Sequence, residues 1–205
     1  MMGILLLPCI LSIPHAPGWS EPVVSISHPL STGSEKYIIV TDGDHVHQFW
    51  SKFEQQPRIG HNIVLPDGTI ILPDTMLSRD VSSNYPGAFM ISTDSIAVFW
   101  REVSPTWYTL LSNDGGTLMP PTLLFSEPWG GTTFHKETRG DSDSLGLLHL
   151  IRSGYTGFYY DELLYSVVEP GGSTLWQDTV PGMLNSGLII VDGERVHIKF
   201  DGMDQ

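Results

Sequence analysis

The chain has 205 residues, 40% of them hydrophobic, which is enough for one or two domains with a real core. Only 16% are charged, while 21 glycines and 15 prolines punctuate the chain, a balance that suits many short strands and argues against helices. The net charge of −13 repels phosphate backbones and anionic lipid surfaces, so neither nucleic acid nor membrane is an expected partner.

At the N-terminus, Gly3 to Ile13 forms a compact apolar run ending near Pro14-His15-Ala16. Its length matches a signal-peptide core and falls short of a bilayer span. Residues 1–19 are therefore expected to be a leader, and the mature chain to be secreted or periplasmic. No Lys or Arg precedes the run, and Pro17 directly follows Ala16, the best small residue. Cys9, the one cysteine, lies inside the run, with Pro8 where a lipid-modified cysteine needs a small residue. Removal of the leader would leave no disulfide or thiol chemistry. In the segment 20–36, Pro22-Val23-Val24-Ser25-Ile26 is a candidate closing strand.

From residue 37 a pattern recurs: an apolar strand, a tight Asp/Gly turn, a second apolar strand. Its first copy is Tyr37–Val40, Thr41–Asp44 and His45–Trp50. The second is Phe89–Ile91, Ser92–Asp94 and Ser95–Trp100. The third is looser, with Thr133–His135, Asp141–Asp143 and Ser144–His149. The fourth is Leu188–Val191, Asp192–Glu194 and Arg195–Phe200. Asp44, Asp94, Asp143 and Glu194 recur at intervals of 50, 49 and 51 residues, a blade-sized period.

A second turn lies within each unit: Pro66-Asp67-Gly68-Thr69, Asn113–Thr117 and Pro170–Thr174, each flanked by apolar residues. Pro, Asp and Gly are what a tight hairpin demands. The apolar stretch Tyr159–Val168 reads as a strand. In the second strands, Val46/Trp50, Ile96/Val98/Trp100, Leu145/Leu147 and Val196/Ile198/Phe200 share one face, with Phe49, Phe99 and Leu148 on the other. The prediction is an all-β chain of β-propeller-type blades, each of four antiparallel strands, about three and a half blades in all. The blades span about 37–87, 88–131 and 132–186, with a partial blade over 187–205. Closed propellers need at least four blades. The expectation is a fragment of a larger ring, or one that self-associates or takes its missing blades from another chain.

Asp42-Gly43…Val46-His47…Trp50 and Asp192-Gly193…Val196-His197 resemble the sialidase-type repeat. Ser112-Asn113-Asp114-Gly115-Gly116-Thr117 is similar to the Asp-box (BNR) hairpin of that family, which carries one more residue before Thr and a Trp where Leu118 stands here. The resemblance implies a propeller fold over residues 37–200. For an enzyme of this type it also implies an arginine clamp on the substrate carboxylate and a tyrosine nucleophile. The family's Phe-Arg-Ile-Pro motif is absent. Pro57-Arg58-Ile59-Gly60 is its nearest echo and sits in the wrong part of the blade. Tyr159 or Tyr160 with Glu162 offers a nucleophile and base, but no spacing requires it. No G-x-S-x-G, Walker or H-E-x-x-H motif occurs. The expected function is a non-catalytic binding or scaffold module for glycan or protein, with no catalytic residue assigned. The alternative is a sialidase-like exo-glycosidase, or a fragment of one.

His45 and His47 stand two apart on a strand and share a face, as zinc ligands can. His197 recurs at the repeat position of His47, which points to a packing element, and no third ligand is evident, so no metal is assigned. No cofactor is expected, with calcium at Asp42/Asp44, Asp141/Asp143 or Asp114 the one candidate. The EF-hand pattern is absent, and Asp commonly caps its own turn. Trp50, Trp100, Trp107, Trp129 and Trp176, with Tyr155, Tyr159 and Tyr160, are candidates for stacking on sugars. Trp50 and Trp100 recur in register and are assigned to the core. Trp129, in the loop Glu127–Gly131, with Tyr155 and Tyr159, forms the candidate binding set.

Overall fold

The computed structural model describes residues 37–52, 57–79, 83–102, 105–126, 133–156, 161–180 and 184–202. The expected leader and closing strand lie outside them. The described residues form strands and turns, with no helix.

Three sheets have four antiparallel strands in sequence order. The first is β1 (Tyr37–Thr41), β2 (Val46–Lys52), β3 (Arg58–Val64) and β4 (Ile70–Met76). The second is β5 (Ser83–Ser92), β6 (Ser95–Glu102), β7 (Thr106–Ser112) and β8 (Thr117–Phe125). The third is β9 (Thr133–Ser142), β10 (Leu148–Thr156), β11 (Asp161–Val168) and β12 (Thr174–Val180). The fourth pairs β13 (Leu184–Asp192) with β14 (Arg195–Gly202). The chain is thus all-β, with blades of propeller type: three whole and one half. β5 and β13 begin at Ser83 and Leu184, a few residues ahead of the blade edges expected from the turns.

The turns form for the reasons the residues suggest. In the outer hairpins the N–H groups of Leu65, Ser112 and Glu169 donate to the carbonyls of Thr69, Gly116 and Ser173 at 2.8–2.9 Å. Each turn holds a glycine at positive φ: Gly68 at 89°, Gly115 at 86° and Gly172 at 90°. The inner hairpin of the third blade uses this same longer turn. Asp143 N–H donates to Leu147 O at 3.1 Å, and Gly146 has φ 78°. The Asp143 Oδ1 atom also accepts from the Leu145 and Leu147 N–H groups, both at 2.9 Å. Ser144–Leu147 is therefore turn, and the strand expected over Ser144–His149 starts at Leu148. Leu145, expected on a core face, is 81% exposed.

The sheets stack face to face, and alternate residues of one strand serve different layers. From β6, Ile96, Val98 and Trp100 pack with Val40, Phe49 and Ile59 of the first sheet. Ala97 and Phe99 of the same strand pack with Leu148, Leu150 and Val168 of the third. A third layer joins Ile151 and Leu163 to Ile189 of the half blade. Burying each large side chain contributes roughly 1.5–3 kcal/mol. Every sheet between two others needs apolar residues on both faces, hence the near-continuous apolar run Ile96–Trp100.

The first strands of successive sheets, β1, β5, β9 and β13, pack in series. Their hairpin ends are tied together: Ser142 Oγ donates to the Met90 and Ile91 carbonyls at 3.3 Å, and Val191 N–H donates to Asp141 Oδ2 at 2.8 Å. β5 is bulged between Asn84 and Gly87, with Tyr85 in the left-handed region at φ 58°. A Cβ on Gly87 would fall 2.4 Å from the Thr138 carbonyl oxygen of β9. Gly87→Val should therefore lower stability by about 1–3 kcal/mol through overpacking. Gly171→Ala, in open space, should stay within about 0.5 kcal/mol of the parent. Equilibrium urea unfolding of the two variants checks this.

Candidate functional site

The densest group of chemically capable side chains lies where the first inner hairpin meets the second blade. The Asp42 carboxylate shapes the hairpin, with Oδ1 accepting from the N–H groups of Asp44 at 2.9 Å and His45 at 2.6 Å. Its Oδ2 bonds the His45 Nδ1 at 2.8 Å. This fold-back carries the Asp42 side chain out of water to 5% exposure, against 24% for His45. Burial pushes the Asp42 carboxyl up, but the hydrogen bonds from the His45 ring and the two N–H groups more than offset it and hold the carboxyl below its ordinary value.

His47 follows on the same face of β2 and is fully buried. Its Nδ1 meets Nε2 of His61, from β3, at 3.3 Å. The two rings are nearly parallel, 5.6 Å apart, and His61 stacks on Phe49 at 4.5 Å. The second blade closes this pocket, since a Cβ on Gly115 would sit 2.9 Å from Ile63 and 3.5 Å from His61. Burial favours the neutral imidazole in both rings. It pulls His47 down against the opposing pull of the Asp42 charge, and takes His61 down to about 3, with His47 adding to the shift. His47 Nε2 and His61 Nδ1 are buried without a hydrogen-bond partner among the described residues. Asp114, in the neighbouring outer hairpin, is held below its ordinary value by the Ser112 hydroxyl and the Gly116 N–H, with a smaller contribution from His45.

The structure thus brings Asp42 to His45 and His47, with a donor atom from each within 4.8 Å of the others. Sequence reasoning weighed Asp42 with the turn aspartates and found no third ligand for the histidines. The signal was the D-x-x-H-x-H spacing across the Asp42-Gly43 turn. His61 carried no such signal, because its relation to His47 arises from strand pairing.

A related group occupies the third blade. His149 opposes Asp141 in the register as His47 opposes Val40, so the two histidines are positional equivalents. Its Nε2 meets Asp143 Oδ2 at 3.3 Å and its Nδ1 meets the Tyr165 hydroxyl at 2.5 Å. Trp176, 48% exposed, stands edge-on to Tyr165 at 5.2 Å. The third equivalent, His197 in β14, is exposed.

Of the candidate binding set, Trp129 and Tyr159 lie outside the described residues, as does Tyr160. Tyr155 stands in β10, opposite Asp161 and Phe134 in the register. Trp50 and Trp100 are buried, 3% and 1% exposed. Trp107 carries the Arg79 guanidinium 4.3 Å above its ring. Of the aspartates weighed for calcium, Asp42 and Asp143 cap turns as described, Asp114 does so through Oδ1, which takes the Ser112 hydroxyl and the Gly116 N–H, and Asp141 Oδ2 takes the Val191 N–H of the half blade. Arg152 is 3% exposed, lies 3.4 Å over Phe125 and donates to Gln177 Oε1 at 3.2 Å. Burial lowers its pKa to about 9.

No family model and no curated protein matches the chain.

The buried histidines make stability depend on pH in a definite sense. Unfolded, both rings take up protons as pH falls below about 6.5, while in the folded chain burial holds His47 below that value and His61 down to about 3. Stability should be fully present above about pH 6.5 and fall as pH drops toward 4, by up to about 1.4 kcal/mol per pH unit for each ring. The lowered turn aspartates add to the loss only below their ordinary value of 3.8. Urea midpoints of the parent and of His61→Phe between pH 7 and 4.5 test this: the substitution should flatten the slope.

Proposed function

We propose that the chain is an exported, non-catalytic propeller segment that binds protein or glycan through the loops at one end of its blades. The disposition of Arg79 and Arg152 carries this reading. A sialoside-cleaving enzyme needs guanidinium groups converging on a substrate carboxylate. Here Arg152 is sunk between the second and third blades, against Phe125 and Gln177. Arg79 is laid over Trp107, a ring that packs against the layer between the first and second blades. Both are used in packing, in different layers.

The hairpin end supports the second half of the reading. Up-and-down sheets place both hairpins of a blade at the same end. Asp42, Asp44, Asp67, Asp94, Asp114, Asp143, Glu169, Asp192 and Glu194 all fall in or beside those turns. Arg195 is the one described Arg or Lys beside those turns, while Lys52, Arg58, Arg79 and Arg101 fall at or near the opposite, linking end with Glu102, Asp161 and Glu162. Such a charge separation orients an incoming partner and favours one with cationic or hydroxyl-rich groups at the hairpin end.

A glycan-array screen paired with a fluorogenic sialoside assay tests the proposal. The expected result is selective retention on the array with no release of fluorophore above the rate of buffer. Release that scales with protein concentration would make the sialidase reading the correct one.

A further inference from the structure

We propose that Asp42, His45 and His47 bind one divalent transition-metal ion of zinc type at the edge between the first two blades. Their donor atoms already lie within 4.8 Å of one another. Two imidazoles and a carboxylate make a mixed nitrogen–oxygen set suited to zinc, whereas calcium calls for a cage of oxygens.

His47 provides an independent observation. Its ring is fully buried, its Nδ1 is held by His61, and its Nε2 has no partner among the described residues. A lone pair on Nε2 requires the proton to sit on Nδ1, and that proton then donates to His61 Nε2. His61 Nε2 can accept that proton when its own proton is on Nδ1, the part an acceptor behind a metal-binding imidazole plays. Asp42 supplies the charge. Its carboxylate is largely withdrawn from water, and a cation at this point offsets the cost of that desolvation. His45, the most exposed of the three, forms the side from which the ion enters. Asp114 adds a second negative charge from the next blade. Zinc bonds of about 2.0–2.2 Å set the donors roughly 3.3 Å apart, so the more distant donors draw in and the 2.8 Å hydrogen bond between Asp42 Oδ2 and His45 Nδ1 opens as the ion takes its place, movements side-chain rotation can supply. The ion would act as a clamp on the hairpin.

Chelator-treated full-length chain, titrated with zinc against a chromophoric competitor and with cobalt(II) by visible absorption, tests this. The expected result is one equivalent of zinc at micromolar affinity or tighter, with cobalt bands of a four-coordinate nitrogen–oxygen site. His45→Gln and Asp42→Asn should each weaken zinc at least about 10-fold, and His61→Phe by about 10-fold through loss of the acceptor behind His47. His149→Gln should leave affinity unchanged. His45→Gln lies in a part-exposed turn and should fold as the parent does, by far-ultraviolet circular dichroism. Failure of the folded parent to take up zinc, or undiminished affinity in His45→Gln and Asp42→Asn, would overturn the site.

Discussion

Every sheet in this chain depends on being covered by its neighbours. A four-stranded sheet cannot bury both of its faces by itself, yet β6 offers apolar side chains to both: Ile96, Val98 and Trp100 to one side, Ala97 and Phe99 to the other. Only stacking in series satisfies both sets. Backbone contacts along the first strands, such as Gly87 against Thr138, set how closely the sheets approach there.

The polar residues inside these layers stand out against that constraint. His47, His61 and Arg152 are all but completely buried, and each keeps at least one nitrogen without a hydrogen-bond partner among the described residues. An apolar residue would fill such a position at lower cost. The aromatic stack of Phe49, His61 and His47 recovers part of that cost through ring contact. Phe125 does the same for Arg152. What stacking does not recover is the unused Nε2 of His47. A His47 ring nitrogen within 4.8 Å of a carboxylate already folded out of water makes the first hairpin unlike a purely structural turn.

The blade architecture was legible because its signals are local. Asp-Gly turns recur at a blade-sized interval, and the apolar residues between them alternate or run together according to which faces are covered. The third inner hairpin misled for an equally local reason. Asp143 and Gly146 form the turn found in the outer hairpins, so Ser144–Leu147, apolar enough to pass for strand, became loop. The candidate site was half legible. Asp42, His45 and His47 are close in sequence, but only the reversal at Gly43 shows that the carboxylate returns to the imidazoles. His61 lies fourteen residues from His47, and its place comes from the β2–β3 register, which pairs His47 with Ile63 and Phe49 with His61. Aromatic residues in loops, by contrast, carry no periodic signal at all. The Pro and Gly residues around it favoured Trp129, which lies outside the described residues, while Trp176, on a strand, is 48% exposed.

One repeat position shows how blades of common design come to differ. His47, Ala97, His149 and His197 occupy the same place in the pairing of first and second strands. In the first blade the next sheet covers the position, and the histidine is held neutral by burial against His61. In the second, the small Ala97 lets Phe99 and Tyr108 stack at 5.0 Å within the layer. In the third, the longer turn swings Asp143 back to His149, and Tyr165 takes its other nitrogen. In the half blade His197 faces solvent. The strand pairing is alike in each case; the neighbouring sheet and the length of the turn decide whether the side chain packs, bonds or faces solvent. The donors Asp42, His45 and His47 all come from the first hairpin, and Gly115 of the next blade covers the His61 ring that backs them.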